Sequence, residues 1–314
     1  MRAVAFAAFG EADMLHLVES PLPEPAPGQV RVKVSSAGLN PIDWKTRRGL
    51  GFVADQIKGH LPWTPGFDIA GRVDAVGEGG TRWQPGDAVM GLIGFPLQGG
   101  GYASYALVEP QALVAAPDTL DLALAGGIPL AALTAWQGLY EQGGLEAGQK
   151  ILIHAGAGGV GHFAVQIAKA ADCHVIATAS SHNADFLAEL GADEVVDYTR
   201  EDFVDVCYGL DCVLDLMGGE IGIRSLHCLS EHGVLVTVPT NTADQVKAAA
   251  DELGLQARNF TVHADDEQLE EIAEMVDTGD IRLHVEAAYP LADAAAAHRR
   301  LEEGHVRGKL VLQP

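Results

Sequence analysis

HAGAGGVGHFA, residues His154–Ala164, follows directly on the apolar run Ile151–Ile153. Within it Gly156, Gly158 and Gly161 meet the spacing G-x-G-x-x-G. A lone match of this kind is weak. This one closes a buried-type strand and opens a helix, the setting in which such glycines serve a dinucleotide. Gly156 is expected to permit the tight turn. Gly158, with Gly159 and Val160 beside it, lets the backbone approach a pyrophosphate, and Gly161 lets helix and strand pack closely. The helix N-terminus then adds N–H groups and a partial positive charge. The bland alternative is a glycine-rich turn with no ligand.

Outward from this turn, short apolar runs recur at Ile151–Ile153, Val175–Ala177, Val195–Val196, Val213–Leu214 and Val234–Val238. Helical stripes lie between them: Phe163, Ala164, Ile167, Ala168 and Ala171 in one, Phe186, Leu187 and Leu190 in the next, which stops at Gly191. Continuous apolar strands alternating with helices imply a parallel sheet covered on both faces. The fold class is therefore α/β, with a Rossmann-type doubly wound domain over residues 122–264. Residues 1–121 have another texture. QVRVKVSSAGL from Gln29 and IAGRVDAVGEG from Ile69 alternate in the strand manner between Pro- and Gly-rich turns, which predicts an all-β region of irregular small-barrel character. Near the end, DDEQLEEIAEMVDTGD is an amphipathic helix, with Leu269, Ile272, Ala273 and Val276 inward, and GKLVLQP is a final strand. Residues 265–314 are assigned with 1–121 to one domain.

Bulk properties exclude several functions. With 20 Lys+Arg against 43 Asp+Glu the net charge is −23, so the surface repels nucleic acid and anionic membrane. No apolar stretch is long enough to span a bilayer, and MRAVAFAAFGEADM does not read as a signal peptide. Cys173, Cys207, Cys212 and Cys228 form no CxxC pair. Four scattered thiols fit a reducing cytoplasm better than disulfides, and Cys207 with Cys212 reads as packing in preference to a metal pair.

The choice of dinucleotide turns on the end of the second strand. An NAD site places an acid there to hold the ribose hydroxyls. This chain offers Ser180, Ser181, His182 and Asn183, with no carboxylate before Asp185. Hydroxyls and an imidazole can donate to a 2′-phosphate that a carboxylate would repel, so NADP(H) is expected.

Taken together, AGLNPIDWKTRRG from Ala37, TPGFDIAGRVDAVG from Thr64, GDAVMG from Gly86, ALTAWQGL from Ala132, HAGAGGVG and GHVRGKLVL from Gly304 resemble the medium-chain dehydrogenases/reductases. Within them the chain is most similar to the zinc-independent quinone oxidoreductases. The resemblance implies a GroES-like catalytic domain, built from both chain ends, around an inserted Rossmann domain. Zinc alcohol dehydrogenases of that superfamily carry metal ligands where this chain has Asn40, Phe67 and Leu130, with Pro41 beside the first. An amide, a phenyl ring and an isobutyl group cannot hold Zn²⁺. The cysteines of the structural zinc lobe are also missing, since no Cys lies between Val89 and Val114.

The resemblance further implies an NADPH-dependent enzyme, acting as a homodimer on a small quinone or enone. Its alternatives are a 2-alkenal or enoyl reductase, or an NADPH-binding sensor with vestigial turnover. Asn40, Lys45 and Thr134 would stand near the nicotinamide as donors to the developing oxyanion. Lys45 could also supply the proton if burial lowered its pKa. Asn40 as a turn residue and Lys45 in a solvated KTRR edge are the structural alternatives, and Asp43 is expected to pair with a base of that cluster. Trp44 and Phe52 stand where several family members have tyrosines, which puts a tyrosyl donor in doubt. Phe52, Trp63, Phe95 and Trp136 are candidate pocket walls or simply core. On the cofactor side, Tyr198 matches a 2′-phosphate contact, Gly218 and Gly219 a close approach to the ribose, and Val238 and Pro239 the carboxamide side. Lys309 matches a basic residue near the pyrophosphate, with a strand-edge lysine as the plain alternative.

Overall fold

The computed structural model describes all 314 residues, Met1–Pro314. They form two compact units. One is Met1–Leu133 with His263–Gly279 and Leu283–Pro314; the other is Thr134–Val262 with Asp280–Arg282. The strands in chain order begin with β1 (Arg2–Ala5), β2 (His16–Glu19), β3 (Val30–Gly38), β4 (Asp68–Val76), β5 (Ala88–Leu92), β6 (Tyr105–Val108) and β7 (Leu113–Ala115). Then come β8 (Lys150–Ile153), β9 (His174–Ala179), β10 (Glu194–Asp197), β11 (Leu210–Asp215), β12 (Leu229–Thr237) and β13 (Gln256–Asn259). The last two are β14 (Val285–Pro290) and β15 (Lys309–Gln313).

The second unit is one parallel sheet in the order β10-β9-β8-β11-β12-β13. The order reverses at β8, and open α/β sheets bind ligands at the carboxyl end of such a switch point. The glycine turn leaves β8 there. Ile151, Leu152 and Ile153 are wholly buried, as are Val213 and Leu235 on the neighbouring strands. Apolar residues on both strand faces are what a sheet covered by helices on each side requires. One such cover is the helix Gly161–Ala170, which buries Phe163, Ala164, Ile167 and Ala168.

The first unit has a sheet in the order β14-β15-β3-β4-β5-β7, with β6 also on β3, and a separate β1-β2 ribbon. β15 pairs antiparallel with β3 and parallel with β14, so the final strand returns to the N-terminal region. The expectation of an all-β first third fails at two short helices, Pro41–Arg47 and Gly51–Ile57. At about two turns each, they are too short for apolar periodicity to register.

The boundary also differs, falling at Leu133/Thr134 and not at residue 121. The helix Leu122–Ala125 belongs to the first unit because Ser36 ties it to β3. The Ser36 hydroxyl donates to the Leu122 carbonyl at 2.6 Å and accepts from Gly126 N–H at 2.9 Å. No helix is long and apolar enough to cross a membrane.

Candidate active site

The turn after β8 is anchored to β9 by backbone and side chain alike. Thr178 accepts from Ala155 N–H on its hydroxyl at 3.2 Å and from Gly156 N–H on its carbonyl at 3.0 Å. His154 lies beneath the turn, 3.1 Å from the Thr178 hydroxyl through Nδ1 and 2.8 Å from the Ser225 hydroxyl through Nε2. The Ser225 hydroxyl already donates to the Ile221 carbonyl at 2.7 Å, so Nε2 must be the protonated nitrogen. Burial pulls the His154 pKa down to about 4, and the ring holds the turn as a neutral staple. Its sequence signal, a polar residue directly after a buried strand, was present but unspecific.

The glycines divide their roles differently from expectation. The left-handed residue of the turn is Ala155, at φ +51°, and Gly156 is not among the positive-φ glycines. Gly156 is needed for space, because a Cβ there would lie 2.8 Å from the Ala177 methyl. At Gly161 a Cβ would come within 2.2 Å of the Ala155 carbonyl oxygen. At Gly158 the nearest atom would be 3.3 Å away, so that face of the turn is open. A cradle with one open glycine, leading into a ten-residue helix, fits a pyrophosphate.

Beyond β9, Ser181 and His182 are exposed, Ser180 and Asn183 are half-buried, and Tyr198 is 50% exposed. Asp197, which no sequence motif singles out, pairs in register with Ala179 at the same end of the sheet. Its carboxylate accepts from the Thr199 hydroxyl at 2.7 Å and the Thr199 N–H at 3.0 Å, bonds that hold its pKa below the ordinary range.

Asp215, at the end of β11, likewise carries no sequence signal of its own. Wholly buried, it accepts from Met217 and Gly218 N–H at 2.9 and 2.8 Å and from the Thr237 hydroxyl at 2.8 Å. It thereby shapes the turn in which Gly218 takes φ +71° and Gly219 φ +55°. Asp215 O also accepts from Val238 N–H at 2.9 Å, tying down the residue before Pro239.

In the first unit a buried polar cluster surrounds Asn40, which precedes the helix Pro41–Arg47. Asn40 Nδ2 donates to Asp68 Oδ2 at 2.7 Å, and Lys309 Nζ donates to Asn40 Oδ1 at 2.6 Å and to the Leu39 carbonyl at 2.8 Å. Asp68 accepts from Leu130 N–H through its other oxygen at 2.6 Å. Burial raises the Asp68 pKa and lowers that of Lys309, and the attraction between the two opposes both shifts. The strand-edge reading of Lys309 is wrong, because β15 lies inside the sheet and the residue is 3% exposed.

Asp43 does hold the loop, but not by pairing with a base of the KTRR cluster. Its carboxylate accepts from Asn40 N–H at 2.8 Å, Gly66 N–H at 3.2 Å and the Tyr102 hydroxyl at 3.2 Å. Burial, strengthened by the nearby Asp68 charge, pushes its pKa up to about 7. The cluster is not a solvated edge either. Thr46 and Arg47 are wholly buried, and Arg47 pairs with Glu302. Lys45 is half-buried, and desolvation lowers its pKa.

At the three positions where zinc enzymes carry ligands, the chain has an amide engaged by Asp68 and Lys309, a phenyl ring packed between Trp63 and Phe95, and the buried Leu130. This donor set does not fit Zn²⁺. The buried Trp63 and the half-buried Phe95 thus pack on Phe67, whereas Phe52 is 36% exposed. In the second unit Trp136 packs against Tyr140 with the rings tilted 41° to each other, and Thr134 is buried in the helix Pro129–Trp136.

Residues 26–118 match the alcohol dehydrogenase GroES-like domain, and residues 190–312 match a family described as zinc-binding dehydrogenase. A solved structure of the quinone oxidoreductase from Coxiella burnetii is 41% identical, with a TM-score of 0.96, covering 100% of this chain and 99% of that one. The chloroplastic quinone-oxidoreductase QR1 of Triphysaria versicolor is 31% identical, over 100% of this chain and 98% of its own. A chloroplastic NADPH-dependent alkenal/one oxidoreductase of Arabidopsis thaliana is 32% identical, over 100% of this chain and 80% of its own.

Proposed function

This chain belongs to the quinone oxidoreductase family of the medium-chain dehydrogenases/reductases, and we propose that it reduces quinones or related α,β-unsaturated carbonyls with NADPH and without zinc. The observation that carries this reading is the donor set at Asn40, Phe67 and Leu130, in a chain whose glycine turn sits at a Rossmann switch point. Oxidising an alcohol calls for a Lewis acid at the alkoxide. An electron-poor carbon asks only for hydrogen-bond donors where charge develops.

When bound, NADPH supplies the hydride. Gly156, Gly158, Gly159, Val160 and Gly161 would receive its pyrophosphate. Ser180, Ser181, His182, Asn183 and Tyr198 would face the 2′-phosphate, where the Asp197 carboxylate is already held by Thr199. Gly218, Val238 and Pro239 would border the nicotinamide half, in the turn that Asp215 organises. Asn40, Lys45 and Thr134 are the donors to the acceptor oxygen. The burial that lowers the Lys45 pKa makes it the readier acid.

The relative named for alkenals and enones supports the 2-alkenal reading as a second one. Steady-state NADPH oxidation with 1,4-benzoquinone, 9,10-phenanthrenequinone and acrolein decides between them. Turnover of the quinones is expected. Turnover of acrolein alone would favour the alkenal reading, and NADPH binding with no turnover would leave a sensor. Four buried free cysteines support a reducing compartment, which we take to be the cytoplasm. We take the enzyme to be a homodimer, which light scattering on the eluting protein checks.

A further inference from the structure

We infer that Lys309 is a positioning residue: with Asp68 it locks the Asn40 carboxamide in a single orientation, and it is not a phosphate ligand. The two ends of an asparagine amide are alike in shape, so only the neighbours can tell them apart. Here they do. An ammonium group has donors and no acceptor, so the atom 2.6 Å from Lys309 Nζ must be the amide oxygen. Asp68 Oδ2, 2.7 Å from the other end, then receives an N–H. A flipped amide would set its NH₂ against the ammonium and its oxygen against the carboxylate, two repulsions in a site where Asn40 is 2% and Asp68 0% exposed.

The locking pair is itself fixed. Lys309 donates a second bond to the Leu39 carbonyl at 2.8 Å, and its ammonium lies 3.8 Å from Asp68 Oδ2. Two hydrogen bonds and one ion pair therefore commit the ammonium inside the first unit, where Lys309 is 3% exposed. Asp68 is held in turn by Leu130 N–H at 2.6 Å. Room for its carboxylate comes from Gly38, where a Cβ would lie 2.7 Å from Asp68 Oδ2. With the amide so fixed, the remaining N–H of Asn40 keeps one direction, as a preorganised donor requires.

The inference rests on the reading of Asn40 as a donor to the acceptor, and the experiment separates the two. Lys309→Met, Asn40→Ala and the double variant are compared for kcat, for NADPH affinity by fluorescence titration, and for hydrogen exchange of the Asn40 side-chain amide by NMR without nucleotide. Asn40→Ala should lower kcat roughly tenfold to a hundredfold, less than in established oxyanion holes because quinones are intrinsically reactive. Lys309→Met should match that loss, and the double variant should be no worse than either single. NADPH affinity should change less than about threefold, and the Asn40 amide should lose its exchange protection.

A tenfold or greater loss of NADPH affinity with kcat intact would overturn the inference, as would an amide that stays protected. Wild-type kcat in Asn40→Ala, with protection still lost in Lys309→Met, would remove the catalytic reading and leave the lock standing. Lys309→Met strands the Asp68 charge, so the neutral pair Asp68→Asn with Lys309→Met is made as well. It should fold and show the same kcat loss. Full kcat in that pair would also overturn the inference.

Discussion

Gly158 and Gly161 lie three positions apart in one turn, yet an added methyl should act on different properties at each. At Gly161 the new Cβ would stand 2.2 Å from the Ala155 carbonyl oxygen and 2.8 Å from both Gly156 C and Cα. These are backbone atoms, and the strand below them is wholly buried, so nothing can yield cheaply. Overpacking costs of about 1–3 kcal/mol are usual in cores. Contact with fixed backbone puts Gly161→Ala at the upper end, about 3 kcal/mol or more. At Gly158 the only neighbour is the same carbonyl oxygen at 3.3 Å, which a shift of a few tenths of an ångström relieves. Gly158→Ala should therefore change stability by less than about 1 kcal/mol. Its methyl instead fills the open face of the cradle. Losing one backbone bond to a charged phosphate costs about 1.5–3 kcal/mol, which raises the NADPH Kd roughly tenfold to a hundredfold. Urea unfolding of the nucleotide-free proteins and fluorescence titration with NADPH measure the two effects separately. If Gly158→Ala unfolds as easily as Gly161→Ala while binding NADPH like the parent, the open face is not where the pyrophosphate lies.

Ser180→Asp should invert a preference for NADPH over NADH by setting a carboxylate against the 2′-phosphate; equal affinities in the parent protein would sink the NADP assignment. Activity should survive exhaustive dialysis against a strong chelator, whereas one zinc per chain, lost together with activity, would show that the donor positions were misread. Lys45→Ala should lower kcat roughly tenfold to a hundredfold, more for enones than for quinones, with NADPH affinity nearly unchanged. Acid should weaken the fold through His154 and His298, whose pKa values burial lowers from 6.5 to about 4 and about 3. Their contribution is complete above the unfolded value and is lost as pH falls below it, about 2 kcal/mol each by about pH 5. Asp43, raised from 3.8 to about 7, has the opposite sign and stabilises the fold as pH falls through that window. Urea unfolding of the parent and His298→Gln at pH 7 and pH 5 isolates one histidine: the gap between them should shrink by about 2 kcal/mol at the lower pH. A constant gap would mean that His298 titrates normally.

What the sequence determined by itself is local. The β8 turn and the helix Gly161–Ala170 announce themselves in eleven consecutive residues, because strand, tight turn and helix are each set by neighbours a few positions away. The unsuitability of Asn40, Phe67 and Leu130 as zinc ligands is likewise legible, since it depends on the chemistry of the side chains and not on their placement. Tertiary structure decided the rest. Lys309 meets Asn40 across 269 residues, and Arg47 meets His298 across 251. No pattern in one sequence pairs groups that far apart. The same holds for Asp68, Asp43 and Asp215, which read as ordinary acids until burial removes water and leaves them a fixed set of donors. Even within the turn, spacing could not say whether Gly156 was there for its φ or for its missing Cβ. That depends on Ala177 of the adjacent strand, whose methyl fills the space a side chain would need.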